Sequence, residues 1–202
     1  MKFLTLEGVD GAGKSSHIEF IADAIRSKGA HVIVTREPGG TDFAERLRQT
    51  ILSHEMSPIL ETLLVFAARA DHVERVIKPA LASGQWVICD RFTDATAAYQ
   101  GAGKGVNAEL IARIADAAHP GVRPTRTLVF DCPYEVAAAR LAKAGRTLDR
   151  FEREDRAFFE RVRSAYAKIA GDEPGRVKRI DGAASIEQVR SELERHLELA
   201  HR

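Results

Sequence analysis

The chain carries almost no net charge: 30 lysines and arginines stand against 29 aspartates and glutamates, leaving +1. Bulk attraction to nucleic acid or to an anionic membrane is therefore not expected, and any anion site must be built locally. Cysteine is scarce as well. Cys89 and Cys132 are the only two, each at the end of an apolar run and neither in metal-ligand spacing, which points to small buried thiols in a reducing compartment. Long apolar runs are missing. The longest stretch without Asp, Glu, Lys or Arg, Pro79 to Cys89, falls well short of the roughly 20 residues a membrane span needs. An apolar run begins at Phe3 and leads straight into a glycine motif, so no signal peptide is expected and the cytoplasm is the expected location. There is no internal repeat and no low-complexity segment. What remains is a chain of 202 residues with 45% hydrophobic side chains, enough for one domain, residues 1–202, around a real core.

Periodicity divides the chain into alternating strands and helices. Strands are expected over Lys2–Leu6, His31–Thr35, Trp86–Cys89, Thr127–Phe130 and Val177–Ile180, each short and apolar on both faces. Helical spacing covers Ser15–Arg26, Phe43–Leu52, Ile59–Ala82 with Pro79 kinking or dividing it, a stretch ending near Gln100, Ala108–Ala118, Glu135–Ala142, Arg156–Ile169 and Ile186–Leu199. Strands of this kind alternating with helices describe an α/β three-layer domain on a parallel sheet. The polar, very basic stretch from Lys143 to Arg153 is the candidate mobile element.

The opening stretch EGVDGAGKSS fits GxxxxGK[ST] at Gly8, Gly13, Lys14 and Ser15, after a strand and before a helix. Gly8 to Ser16, through Val9, Asp10, Gly11, Ala12, Gly13, Lys14 and Ser15, would wrap the phosphates of a nucleoside triphosphate. The glycines let backbone N–H groups face inward, Lys14 reaches the outer phosphates and the Ser15 hydroxyl can ligate Mg2+. Asp10 fits none of this, since a carboxylate beside phosphate is repelled, and so should face a second ligand.

A P-loop serves switches and transferases alike. A guanine-nucleotide switch needs an NKxD-type element, and no Asn-Lys pair occurs in the chain; a small kinase needs a second anion site and cations that close over the transferred group. Three stretches supply the latter. TREPGGT, Thr35 to Thr41, ends the second strand with Arg36 and Glu37 at the sheet edge where ligands gather. VICDRF, Val87 to Phe92, places Asp90 as a magnesium-shell carboxylate and Arg91 as a phosphate fork, with a structural Asp–Arg ion pair as the other reading. The basic segment contributes Lys143, Arg146, Arg150 and Arg153.

EGVDGAGKS, TREPGGT, VIKPAL, DRF followed by AYQG, and a basic segment ending in LDRFE stand in the order and approximate spacing of the thymidylate kinases, nucleoside monophosphate kinases that make dTDP from dTMP and ATP. The chain resembles that family over essentially its whole length. The resemblance implies a five-stranded parallel sheet with helices on both faces, a mobile lid over about 143–153, and a homodimer packed through helices. It also implies roles. Asp10 would bind the 3′-hydroxyl of the acceptor sugar, Arg91 and Arg48 the dTMP phosphate, and Glu37 would organise the arginines and the magnesium shell that Ser15 and Asp90 provide. Arg69 would read a thymine carbonyl, Thr96 and Gln100 would line the base, and Tyr99 would exclude a ribose 2′-hydroxyl. With Gly11 after Asp10 where some members carry arginine, catalytic cations would come from the lid: Arg146 and Arg150, beside Lys14 and Arg91. Two departures stand out. A serine frequent in the family is Ala95 here, with Thr96 next to it. The base-stacking phenylalanine, four before the base-reading arginine, is Val65, with Phe66 one residue closer; on a helix that shift turns the ring by about 100°, so stacking and core packing are both open to Phe66. The adenine is expected near Asp181 to Ala184. The motifs single out none of the seven histidines, and a largely deprotonated acceptor phosphate needs no general base. Another nucleotide or nucleoside kinase, or a P-loop switch, is the alternative.

Overall fold

The computed structural model describes residues 2–145 and 147–199. Five strands, β1 (Phe3–Glu7), β2 (Val32–Arg36), β3 (Trp86–Asp90), β4 (Arg126–Asp131) and β5 (Val177–Asp181), form one parallel sheet in the order β2-β3-β1-β4-β5. Every residue of β1 is buried, as a central strand covered by helices on both faces requires. Leu4, Leu6, Ile88, Leu128 and Phe130 pack on one side with helix α1 (Ile18–Arg26) and the last helix of the chain. Phe3, Val87, Cys89 and Phe92 pack on the other with Val73 and Ile77. Both cysteines are buried and free.

The remaining helices are α2 (Asp42–Ser53), α3 (Pro58–His72), α4 (Lys78–Ala82), α5 (Thr93–Thr96), α6 (Ala108–Ala118), α7 (Tyr134–Lys143), α8 (Arg156–Asp172) and α9 (Ile186–Leu199). Their starts follow local chemistry: Thr41, Ser57, Asn107 and Asp155 each accept a backbone N–H of the first turn, the N-cap role of short polar side chains. The long helical segment expected over 59–82 is interrupted before Pro79, not at it. A π-helical turn, Val73–Ile77, separates α3 from α4; proline lacks the N–H that continues the ladder, and a widened turn upstream absorbs the mismatch. A second π-helical stretch, Ala97–Gly103, follows α5. None of the helices among the described residues is long and apolar enough to cross a membrane.

One feature of the sheet positions the site. Each strand ends on a charged residue: Glu7, Arg36, Asp90, Asp131 and Asp181. The polar groups therefore collect at the carboxyl edge, and the central strand β1 opens into the glycine loop where the strand order reverses.

Candidate active site

Leaving β1, the chain turns through Gly8 to Gly13 into a short 3-10 turn, Lys14–His17, that leads into α1. Gly8 has φ +127°, and a Cβ there would lie 2.2 Å from the Phe130 carbonyl oxygen; Gly11 has φ +80°, and its Cβ would lie 2.6 Å from that of Ala137. Both positions demand glycine for conformation and for room. Lys14 curls back so that Nζ donates to the carbonyls of Gly8 at 2.9 Å and Val9 at 3.1 Å. Burial, with Arg91 nearby, lowers its pKa. The loop walls a cleft of about 560 Å³ together with Asp90, Arg140, Gly182 and Ala184, within the usual range for a small-molecule site. Ser15 and Ser16 line it too, with Gly182 and Ala184 across from the P-loop. Arg140 bridges the two, donating to Gly11 O at 3.2 Å and Gly182 O at 2.7 Å. Asp90 Oδ1 is buried without a hydrogen-bond partner.

A second pocket adjoins the first, and Asp10 borders both. Its wall brings Asp10, Glu37, Arg48, Arg69, Arg91, Thr96, Tyr99 and Gln100 together. Arg91 sits at φ +69°, a left-handed conformation among the described non-glycine residues found only there. It is held by Arg91 N–H donating to Leu6 O at 2.9 Å and Phe92 N–H donating to Glu7 Oε1 at 2.7 Å. Backbone strain of this sort persists only where neighbours over-determine it. The guanidinium then meets the P-loop: Nη2 donates to Asp10 Oδ1 at 2.6 Å and to Tyr99 Oη at 3.0 Å, Nη1 to Gly8 O at 2.9 Å. Tyr99 in turn donates to Asp10 Oδ2 at 3.0 Å. Arg91 pairs with Asp10 and not with its neighbour Asp90. Burial alone would raise the Asp10 pKa, but the charges of Arg91 and Lys14 outweigh it and hold the carboxyl below its ordinary value.

Behind this pair lies a closed cluster. Glu37 accepts Arg69 Nε at 2.5 Å on one oxygen and pairs with His72 Nδ1 at 2.8 Å on the other; His72 Nε2 reaches Thr35 Oγ1 at 2.7 Å. Burial works to raise the Glu37 pKa, and Arg69 and His72 reverse the sign. Arg69 Nη2 donates to Phe92 O and Thr96 Oγ1, both at 3.1 Å, while Nη1 is buried without a partner. Arg48 donates to Pro38 O at 3.1 Å. Phe66 is a correction. Val65 lines the pocket; Phe66 is turned into a core cluster with Val106, Ile111 and Ala115, its ring stacked near His119. The helical rotation of one residue decides between them.

The lid differs more from expectation. Arg150, expected among the catalytic cations, is not at the P-loop: it pairs with Glu61 on α3 and lies 4.9 Å over the Phe151 ring. Arg153 Nε donates to Asp149 O within the lid. Lys143 ends α7, and Arg146 lies outside the described residues. Sequence reasoning missed Glu7, Glu61, His72 and Arg140. The first belonged to a quoted motif but stood outside the nucleotide-binding pattern. Arg140 carried a signal, as the last arginine of the helix before the lid. Glu61 and His72 carried none, since each looks like an ordinary helix residue until the chain is folded.

A glycine loop between the central strand and a helix, opening at the carboxyl edge of a five-stranded parallel sheet with an arginine-walled pocket beside it, defines the α/β P-loop kinase fold. The thymidylate kinase family model matches residues 6–193. The chain is 53% identical to a thymidylate kinase of Bordetella pertussis, over 96% of this chain and 92% of that one, and 52% identical to a thymidylate kinase of Cupriavidus metallidurans, over 96% of each. Its structure is similar to a crystal structure of thymidylate kinase from Ehrlichia chaffeensis, with a TM-score of 0.79, 31% identity and 97% of both chains covered. The chain belongs to the thymidylate kinase family.

Proposed function

We propose that the chain is one domain that transfers the γ-phosphoryl group of ATP to dTMP, giving dTDP and ADP. The carrying observation is that two pockets meet at Asp10, one walled by the P-loop and the other by Arg48, Arg69 and Arg91. Two polyanions placed nose to nose repel, so the chain's task is neutralisation and in-line positioning. Lys14 and the P-loop N–H groups hold the ATP phosphates. Arg91 and Arg48 hold the dTMP phosphate, whose second pKa of about 6 leaves its oxygen mostly deprotonated near neutral pH. Asp10 receives the 3′-hydroxyl, Tyr99 fills the space of a ribose 2′-hydroxyl, and Arg69, Thr96 and Gln100 face the base. Ser15 and Asp90 both line the P-loop cleft, and Asp90 Oδ1 has no hydrogen-bond partner; such oxygens fit a hard divalent cation. Bound there, Mg2+ supplies charge neutralisation between the phosphates. Arg140 and the Gly182 loop border the adenine end.

Phe43, Ile59, Leu60, Leu63 and Leu110 are exposed on α2, α3 and α6, helices that touch in the order α2, α3, α6. We read this apolar face as the homodimer surface, and the enzyme as cytoplasmic. The test of function is ADP release with ATP and dTMP, dUMP, UMP, dGMP, AMP or no acceptor. Fastest release with dTMP is expected. Release independent of acceptor would defeat the kinase reading, and UMP outpacing dTMP would defeat the role of Tyr99.

A further inference from the structure

Glu61 is fully buried on α3. Its Oε1 accepts Gln100 Nε2 at 2.8 Å; its Oε2 accepts Lys104 Nζ at 2.9 Å and a guanidinium N–H of Arg150 from the lid. A carboxylate offers no donor. An amide facing it must therefore present its NH2, which leaves the Gln100 carbonyl for the pocket that Gln100 lines with Arg69 and Thr96. On the same wall, Arg69 Nη1 is a buried donor without a partner. The pocket thus shows one acceptor, with an unpartnered donor enclosed in the wall beside it. That polarity fits a ring edge with an imide N–H next to a carbonyl, as in thymine or uracil, and opposes cytosine, whose corresponding edge is an acceptor next to an amine.

We propose that Glu61 is a specificity-positioning residue: it fixes the orientation of the Gln100 amide and so makes the pocket select an imide base over an aminopyrimidine. The proposal rests on the assignment of this pocket to the dTMP base. It does not require Glu61 to touch the nucleotide. Lys104 and Arg150 balance the buried charge on Oε2, leaving Oε1 to the amide. Selectivity of this kind is strong because the wrong base leaves buried polar groups unpaired.

The test is kcat/KM for dTMP and for dCMP in the wild type, Glu61→Gln and Glu61→Asp, with ATP as donor. A glutamine at 61 can donate as well as accept, so the Gln100 amide is free to turn over. The dTMP/dCMP ratio is expected to fall by at least about tenfold in Glu61→Gln, chiefly through a higher KM for dTMP, each mispaired hydrogen bond being worth roughly a factor of ten. Glu61→Asp remains acceptor-only, and its ratio should stay near the wild-type value even where its activity is lower. A purely structural role would lower both substrates together; an unchanged ratio in Glu61→Gln, or an equal collapse in Glu61→Asp, overturns the proposal. Should Glu61→Gln fail to fold, Glu61→Met removes the acceptor and enters the same comparison with the same outcomes. Wild type inactive on dTMP would instead defeat the assignment of the pocket, leaving the two failures distinct.

Discussion

Asp10 and Arg91 form an ion pair whose side chains are 30% and 16% exposed, whereas Glu37 and Arg69, in the same pocket wall, and their partner His72 are 1%, 2% and 0% exposed. In both clusters an arginine overcomes the burial that would otherwise raise a carboxylate's pKa. The difference lies in what each pair can give up. Asp10 borders both pockets and Arg91 lines one of them, so the open pair can exchange protein partners for ligand oxygens without leaving a charge stranded. The closed cluster has no such freedom, because removing one partner strands the other away from water. One can be rearranged; the other is fixed, and Arg69 fastens it to the Phe92 carbonyl next to Arg91.

The sharpest way to break this comparison is to remove one member from each side. Arg91→Ala is expected to lower turnover with dTMP on the order of 10³-fold, about 4 kcal/mol, as for arginines that neutralise transferring phosphates. Asp10 keeps solvent and Tyr99, so the melting temperature should move by only a few degrees. Glu37→Gln should do the reverse in its first effect: it leaves Arg69 buried without a counter-charge, at a cost of about 3–5 kcal/mol of stability, or roughly 10 °C for a domain of this size. Urea unfolding and steady-state kinetics on both variants decide the matter. A destabilised Arg91→Ala beside an unmoved Glu37→Gln would invert the assignment of open and closed.

How much of this was legible beforehand follows the reach of each signal. The P-loop, the five strands and the edge on which ligands gather depend on short-range rules, glycine at forced positive φ and apolar runs of strand length, so the residues announce them. Strand ends were placed within about one residue, the ordinary error of such boundaries. Asp10, Arg91 and Tyr99 come from three separate segments, and the resemblance brought them onto one list; their mutual hydrogen bonds did not follow from any local pattern. Phe66 and Val65 differ by one helical step, and only the packing of α3 against α6 shows which of them faces the pocket. His72 and Glu61 are invisible for a deeper reason, since their partners lie 35 and 39 residues away. The segment expected to be a lid stands out by its charge, but charge does not say where an arginine is docked.

A third carboxylate on the same edge sharpens the comparison, because it is buried without a directly paired cation. Glu7 accepts Phe92 N–H and shares a hydrogen bond with the Tyr166 hydroxyl at 2.8 Å. Burial, reinforced by Asp94, raises its pKa to about 8 despite the opposing pull of Arg91. The sign is opposite to that of Glu37. Below pH about 4.5 folded and unfolded chains both hold the proton; between 4.5 and 8 only the folded chain does. The stability contributed by that bound proton is therefore complete at acid pH and is lost as pH rises towards 8, at a slope of about 1.4 kcal/mol per pH unit for one full proton. Glu7→Gln has no proton to lose. Its stability relative to wild type, measured by urea unfolding at pH 5.5, 6.5 and 7.5, should improve steadily with pH. Parallel profiles would show that Glu7 is ionised in the fold, and that burial on this edge is answered by cations everywhere, leaving exposure as the only difference between the open pair and the closed cluster.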